Sequence, residues 1–389
     1  MSYVGPEGPY GTWAIVGEAP SEEEVRKDKL FSSPGNNLLW PLLRRLAHIE
    51  RHECYVTALS KFPVGDEIPP DQFEGLRLSL MGELADVSPT HILSVGVEAT
   101  RAFLGDAYSK MEVHNGMTYR MPNGWFVTPC WNPGMALGDG GKDPLAWVGD
   151  AVSHWRYNQR YPRKLVIPQW SMASPHENTW VPVGGMIGVD TEGMPDDPIC
   201  LTWATKHTRT LVWPEQVPTF WKDVMDAGVT VIFQNAPHDW AVLEAMGVPH
   251  PERTPFRDTM ELAYLKQTEP QGLKDMAYRH WGVRMKTYED VVMPHYNEVI
   301  TAIAAGRIDA GTTITTHSPK TGKPYKTPKV QYTDEAKALR RTTNPETLAK
   351  RIGDFPGPSL RFVPFEVMAE YATLDPFLTV AVWEVLNQC

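Results

Sequence analysis

Apolar residues fall along the chain in short blocks separated by Gly, Pro and polar turns. Residues 13–16 (WAIV), 53–59 (ECYVTAL), 91–96 (HILSVG) and 125–129 (WFVTP) are compact runs of the kind that form buried strands. Between them, residues 38–48 (LLWPLLRRLAH) repeat apolar positions at helical spacing, and residues 98–104 form a helix directly after the third strand. Strands alternating with helices predict a parallel sheet with helices on both faces. Gly17-Glu18-Ala19-Pro20 ends the first strand and leaves Glu18 at its carboxyl end, where α/β sheets place ligands.

From residue 160 to 185 the periodicity is lost and prolines collect, which reads as a joint. The organisation expected is a first domain over 1–165, a linker over 166–184 and a second domain over 185–389. In the second domain, residues 199–204 and 209–213 alternate like antiparallel strands, giving three strands before a helix over 215–226. A fourth strand, 229–233 (VTVIF), precedes a helix over 240–246 with Gly247 placed to cap it. Asp258-Thr259 opens another helix as an N-cap, Gly272 begins one more, and residues 363–386 keep a continuous helical period.

In residues 185–193 (GMIGVDTEG) a buried-strand pattern turns into two carboxylates. Residues i and i+2 of a strand share a face, so Asp190 and Glu192 project side by side, an arrangement that a cation between them stabilises. A solvated strand end would read the same from this pair alone.

Composition narrows the options. The 389 residues, 42% apolar, suffice for two domains with full cores. The longest apolar runs stop well short of a membrane span, and the N-terminus has no basic-then-apolar leader, so a cytoplasmic protein without membrane attachment is expected. Cys54, Cys130, Cys200 and Cys389 are far apart in sequence, which argues against an iron–sulfur cluster or a structural zinc. The net charge of -10 argues against a surface that coats nucleic acid throughout. Residues 307–351 run the other way, with ten Lys and Arg against four Asp and Glu. Within that basic insertion, residues 313–330 suggest a projecting hairpin, either a DNA-gripping arm or a solvated loop.

Five blocks of the first domain resemble the uracil-DNA glycosylases, in particular the family-four type. They are GEAP at 17–20, Leu30-Phe31 with Pro34-Gly35, YVTALSK at 55–61, SVGVEATRAFLG at 94–105 and CWNPGMAL at 130–137. The resemblance covers roughly residues 10–160 and implies an N-terminal α/β/α glycosylase-like domain. It places Phe31 where a flipped base stacks and Glu18 near the attacking water. Ala58 stands where the family has the base-reading Asn, Asn132 stands where it has a His, and Phe62 follows Lys61 where a cluster Cys would be. Loss of a substrate-binding amide removes discrimination between bases. The domain is therefore read as DNA-binding or altered in specificity, with excision of uracil or a modified base as the alternative.

The second domain resembles DEDD-type 3′→5′ proofreading exonucleases of the subtype with tyrosine in its last motif. Asp190 and Glu192, then Asn235-x-x-x-Asp239, then Tyr371-x-x-x-Asp375 fall in that order. DTMELAYL at 258–265 and GLKDMAYRHWG at 272–282 resemble blocks of family-A DNA polymerases. This implies a ribonuclease-H-like mixed sheet of about five strands. It also implies two Mg²⁺ or Mn²⁺ ions on Asp190, Glu192, Asp239 and Asp375, with Tyr371 orienting water. Two such ions roughly 3.5–4 Å apart activate a nucleophile and compensate the leaving oxygen. Asn235 either contacts the nucleic-acid strand or caps the helix after it.

A glycosylase-like domain followed by such an exonuclease resembles the N-terminal part of certain bacteriophage family-A DNA polymerases. The expected substrate is DNA with single-stranded 3′ ends, with RNA left open. The expected partner is a separately encoded polymerase, unless the chain is a piece of a longer one, and the expected location is the cytoplasm of a bacterial host. A non-catalytic polymerase accessory is the non-enzymatic alternative.

Overall fold

The computed structural model describes residues 3–64, 68–137, 144–157, 159–172, 182, 184–304, 308–317, 324–330 and 358–388. The chain divides into two compact units. One is Met1–Lys164 with Ala263–Val283, and the other is Leu165–Leu262 with Arg284–Cys389.

The first unit is built on β1 (Trp13–Gly17), β2 (Cys54–Ala58), β3 (His91–Val95), β4 (Tyr119–Arg120) and β5 (Phe126–Cys130). Their order is β2-β1-β3-β5-β4, with β1, β2, β3 and β5 parallel and only the short edge strand β4 antiparallel. Alternate residues of β1 enter different cores. Ile15 packs with the helix Pro144–Arg156 and the apolar residues of 39–47, while Ala14 and Val16 pack with the helices Pro70–Val87 and Val97–Leu104. Burial on both faces explains the unbroken apolar runs of these strands. The α/β class and the parallel core of the sheet agree with the sequence reading.

Residues 263–283, expected within the second domain, group with the first unit. The helix Leu273–Trp281 brings a fully buried Arg279, whose Nη1 donates to the carbonyls of Val113 and Asn115 at 3.2 and 2.6 Å. Its Nε lies 3.0 Å from Glu269 and its Nη2 3.6 Å from Asp150, which Arg160 also holds at 3.0 Å. Buried charges persist only when paired, so this network anchors the segment.

The second unit carries β6 (Trp170–Met172), β7 (Met186–Met194), β8 (Asp197–Ala204), β9 (Arg209–Val212), β10 (Thr230–Phe233) and β11 (Phe256–Asp258), in the order β11-β10-β7-β8-β9-β6. β7, β8 and β9 are antiparallel, while β10 runs parallel to β7 and β11. The sixth strand, β6, comes from the stretch read as a linker and runs parallel to β9. The helices Val217–Asp226 and Ala236–Ala245 cover one face; on the other, Pro376 of the helix Leu374–Asn387 abuts β7. A Cβ on Gly188 would stand 2.1 Å from the Pro376 carbonyl oxygen, so only glycine lets this helix rest on the strand.

The helix expected over 363–386 is two, Phe365–Ala372 and Leu374–Asn387. Pro376 has no N–H to give the Ala372 carbonyl, and the Thr202 hydroxyl, 3.1 Å away, takes its place. The hairpin expected in the basic insertion is present as β12 (Ile308–His317) and β13 (Pro324–Val330). Residues 318–323 and 331–351 of that insertion lie outside the described residues.

Candidate functional site

In the second unit, β7 presents Asp190 and Glu192 two residues apart, ahead of a bulge at Gly193. The helix Ala236–Ala245 adds Asp239 in its first turn, and the two C-terminal helices add Tyr371 and Asp375 on either side of their break. Asp190 feels the other three acids, and Tyr371 feels Asp190, Glu192 and Asp375. Burial pushes the Asp190 carboxyl well above its ordinary range, and Asp239, Glu192 and Asp375 push it further. By surface area Asp190 is only partly covered, but its carboxylate sits deep among protein atoms. Burial raises the Tyr371 phenol, aided by Glu192, Asp375 and Asp190.

Asp239 is held most firmly. Its Oδ1 accepts from the Thr191 N–H at 2.9 Å and the Thr191 hydroxyl at 2.8 Å. Burial raises its pKa to about 7, with those two bonds opposing the rise. Thr191, between the two strand acids, thus locks the helix acid to the strand. Sequence reasoning missed this because the two residues lie 48 apart.

The donor set fits a hard divalent cation in its chemistry. The charges that raise Asp190 are the carboxylates of Asp239, Glu192 and Asp375, a repulsion that a cation relieves. Among the described residues, no group of three or more His, Cys, Asp or Glu is gathered closely enough to hold a metal as it stands. The acids therefore face one another at wider spacing than a closed ligand shell. Beside them a cavity of about 410 Å³ is lined by Tyr371 and Asp375, by Arg284 and Lys286, and by apolar Met285 and Val291. That volume is in the range of small-molecule sites.

Asn235 occupies the N-cap position with φ +73, and its side chain makes no capping bond. The capping reading of its side chain is therefore corrected, because the Asp258 carboxylate bonds this helix start instead. Burial also raises the Tyr288 phenol, with Glu192 adding to it. Tyr288 thus stands near the acids without having been singled out in the sequence, since no spacing rule ties it to them.

In the first unit, Glu18, Phe31, Ala58 and Asn132 line one cavity at the carboxyl ends of the parallel strands. Glu18 accepts the Glu98 N–H at 3.0 Å and lies 3.4 Å from the Asn132 amide. Burial raises its pKa against both bonds. Phe31 has φ +49, and its ring rests on Gly17, where a Cβ would stand 2.9 Å from the ring. Glu24, buried, accepts from the Ser32 N–H at 3.2 Å and the Asn36 amide at 3.0 Å, which holds the loop carrying Phe31. The sequence hint for Glu24 was its capping-box spacing from Ser21. The cavity is about 20 Å³, room for about one water and not for a nucleobase as it stands.

The first unit is thus an α/β domain in which an acid, an aromatic ring and amides share a cavity at the carboxyl ends of the parallel strands. Residues 8–156 match the family model described as the uracil DNA glycosylase superfamily. No curated protein matches the chain. Among the described residues no helix is long and apolar enough to cross a membrane.

Proposed function

We propose that the second unit is a metal-dependent 3′→5′ exonuclease and that the glycosylase-like domain binds the DNA on which it acts. The observation that carries the reading is the convergence of Asp190 and Glu192 on β7 with Asp239 in the first turn of one helix and Asp375 in the first turn of another, near enough that all three raise Asp190. Two Mg²⁺ or Mn²⁺ ions, held by these four carboxylates, would supply water activation and compensation of the leaving 3′ oxygen. Asp190, central to the set, faces both the strand and helix acids. Thr191 aims Asp239 by two donated bonds, which also favour its charged form against the burial that raises it. Tyr371 keeps its proton at neutral pH, so its neutral hydroxyl can orient a water. Arg284 and Lys286 line the adjacent cavity together with Glu366 and Glu370, so it offers both charges beside Asp375. The ribonuclease-H-like reading is supported by the antiparallel β7-β8-β9 set continued by parallel β10 and β11. A separately encoded polymerase in a phage-infected host is the partner this activity would serve in replication or proofreading.

The test is digestion of a 3′-labelled single-stranded oligonucleotide with Mg²⁺, alongside duplex DNA and RNA. Stepwise shortening that EDTA and Asp190→Ala abolish supports the reading. Intact DNA, or activity that survives Asp190→Ala, sinks it.

Base excision by the first unit is a second reading, favoured by the convergence of Glu18, Phe31 and Asn132 on one cavity. The cavity volume and Ala58 weigh against it. Abasic sites formed in uracil-containing DNA by the full chain, and lost in Glu18→Ala, would establish it. Their absence would leave the domain with binding alone.

A further inference from the structure

We propose that Asp258 is a positioning residue for the carboxylate site, pinning the start of the helix Ala236–Ala245 and so aiming Asp239; what the site does rests on the exonuclease reading, while the pinning stands on geometry. Asp258 ends β11 and is buried. Its Oδ2 accepts the Ala236 N–H at 2.8 Å, and its Oδ1 accepts those of Asn235 at 3.2 Å and Met260 at 2.8 Å. One carboxylate therefore serves two helix starts, its own and that of the helix carrying Asp239.

The donors at that helix start need such an acceptor. The first N–H groups of a helix have no partner within it. Pro237 has no N–H, the His238 N–H turns back to the Asn235 carbonyl at 3.1 Å, and the Asn235 side chain makes no capping bond. Asn235 sits in the left-handed region at φ +73, which turns two successive N–H groups toward Asp258. Residues other than glycine hold that conformation only when their surroundings over-determine it. The neighbouring Thr259 hydroxyl donates to the Phe233 carbonyl at 3.0 Å, tying the same corner to the end of β10. Phe233 and Asp258 are themselves register partners.

Asp239 lies in the first turn, three residues beyond Ala236, and its far side is bonded to Thr191. Clamping the helix start from Asp258 and Asp239 from Thr191 leaves its carboxylate one direction. A shift of the helix start would pull Asp239 from the strand acids while leaving each acid in place chemically.

The test uses the full chain and Asp258→Ser, because Ser can still cap its own helix through the Met260 N–H but cannot reach both N–H groups of the other. The probe is Mn²⁺ alone, followed by loss of the free-ion EPR signal. Val224→Ala, a core truncation in the same unit, serves as the control for general destabilisation. Asp258→Ser is expected to weaken Mn²⁺ binding about 10–100-fold, as loss of a supporting partner does. The control is expected to stay within about twofold, since its site is intact. Hydrogen exchange gives an independent readout. The Asn235, Ala236, His238 and Asp239 amides should exchange faster in Asp258→Ser, selectively within the unit. Equal weakening of Mn²⁺ in both variants, or unchanged exchange at those amides, overturns the proposal. If the native chain binds no Mn²⁺, the exonuclease reading fails, and the exchange data alone decide the positioning role.

Discussion

Replacing Arg279 by Met tests whether the segment Ala263–Val283 is an integral part of the first unit. Met keeps a flexible apolar side chain in the space while deleting the charge. The Arg279 side chain is 0% exposed and Glu269 9% exposed, so the variant takes from Glu269 its fully buried cation and leaves it His280 at 3.1 Å and a more distant Arg160 at 3.8 Å, while Asp150 keeps Arg160 at 3.0 Å. Breaking a buried pair from one side costs about 3–5 kcal/mol. For a unit of roughly 185 residues, each kcal/mol shifts Tm by about 2–4 °C, so a fall of about 6–20 °C is expected.

The pH dependence checks the cause. Burial alone would raise Glu269, but Arg279, His280 and Arg160 together bring its pKa down to about 2. A carboxyl depressed in the folded state stabilises above its unfolded pKa, near 4.5, and that contribution is lost as pH falls toward about 2. In Arg279→Met the carboxyl takes up a proton at higher pH, so the gap between the two proteins should be widest near neutrality and narrow as pH falls from 4.5 toward 2. Thermal unfolding followed by tryptophan fluorescence across that range measures both. A Tm loss under about 2 °C at neutral pH, less than one kcal/mol, would refute the anchoring role. So would a gap that does not change with pH.

Gly188→Ala would push a Cβ to 2.1 Å from the Pro376 carbonyl oxygen, so the C-terminal helix must lift from β7. A loss of about 1–3 kcal/mol from overpacking is expected in denaturant melts, together with, on the proposed exonuclease reading, about a 100-fold loss of rate from a displacement near 1 Å; unchanged stability would show that the helix adapts freely. Mn²⁺ should raise the Tm of the second unit, since it relieves the repulsion on Asp190. At one hundred times its Kd the gain is about 2.7 kcal/mol, and Asp239→Asn should remove most of it. An equal rise in that variant would place the ion elsewhere.

Much of the first unit was legible because its code is local. Strands buried on both faces write themselves as continuous apolar runs, and WAIV and HILSV become β1 and β3 with Ile15 in one core and Ala14 in the other. Asp190 with Glu192 and Tyr371 with Asp375 lie at short spacings that a local reading can pair, while Asp239 entered only through the resemblance to DEDD-type exonucleases. The same local reading failed where backbone chemistry intervened. Helical periodicity ran through residues 363–386 unbroken, and only the missing N–H of Pro376 and the Thr202 hydroxyl explain two helices instead of one. It also failed for β6, whose three residues were hidden in a proline-rich stretch and gained strand form from pairing with β9.

What the sequence by itself determined, then, is the α/β class, the longer buried strands of each half and which carboxylates, ring and amides are available for chemistry. Only the tertiary structure decided that Asp258 bonds the helix of Asp239, that Gly188 admits Pro376, and that residues 263–283 complete the first unit. It also decided that the Phe31 ring on Gly17 leaves a cavity of about 20 Å³. The reason is separation along the chain. Thr191 and Asp239 lie 48 residues apart and Arg279 and Asn115 lie 164 apart, and no local period encodes such contacts. They arise when burial leaves a charge or an N–H group that must find a partner, and the partner is whichever group the fold carries past it.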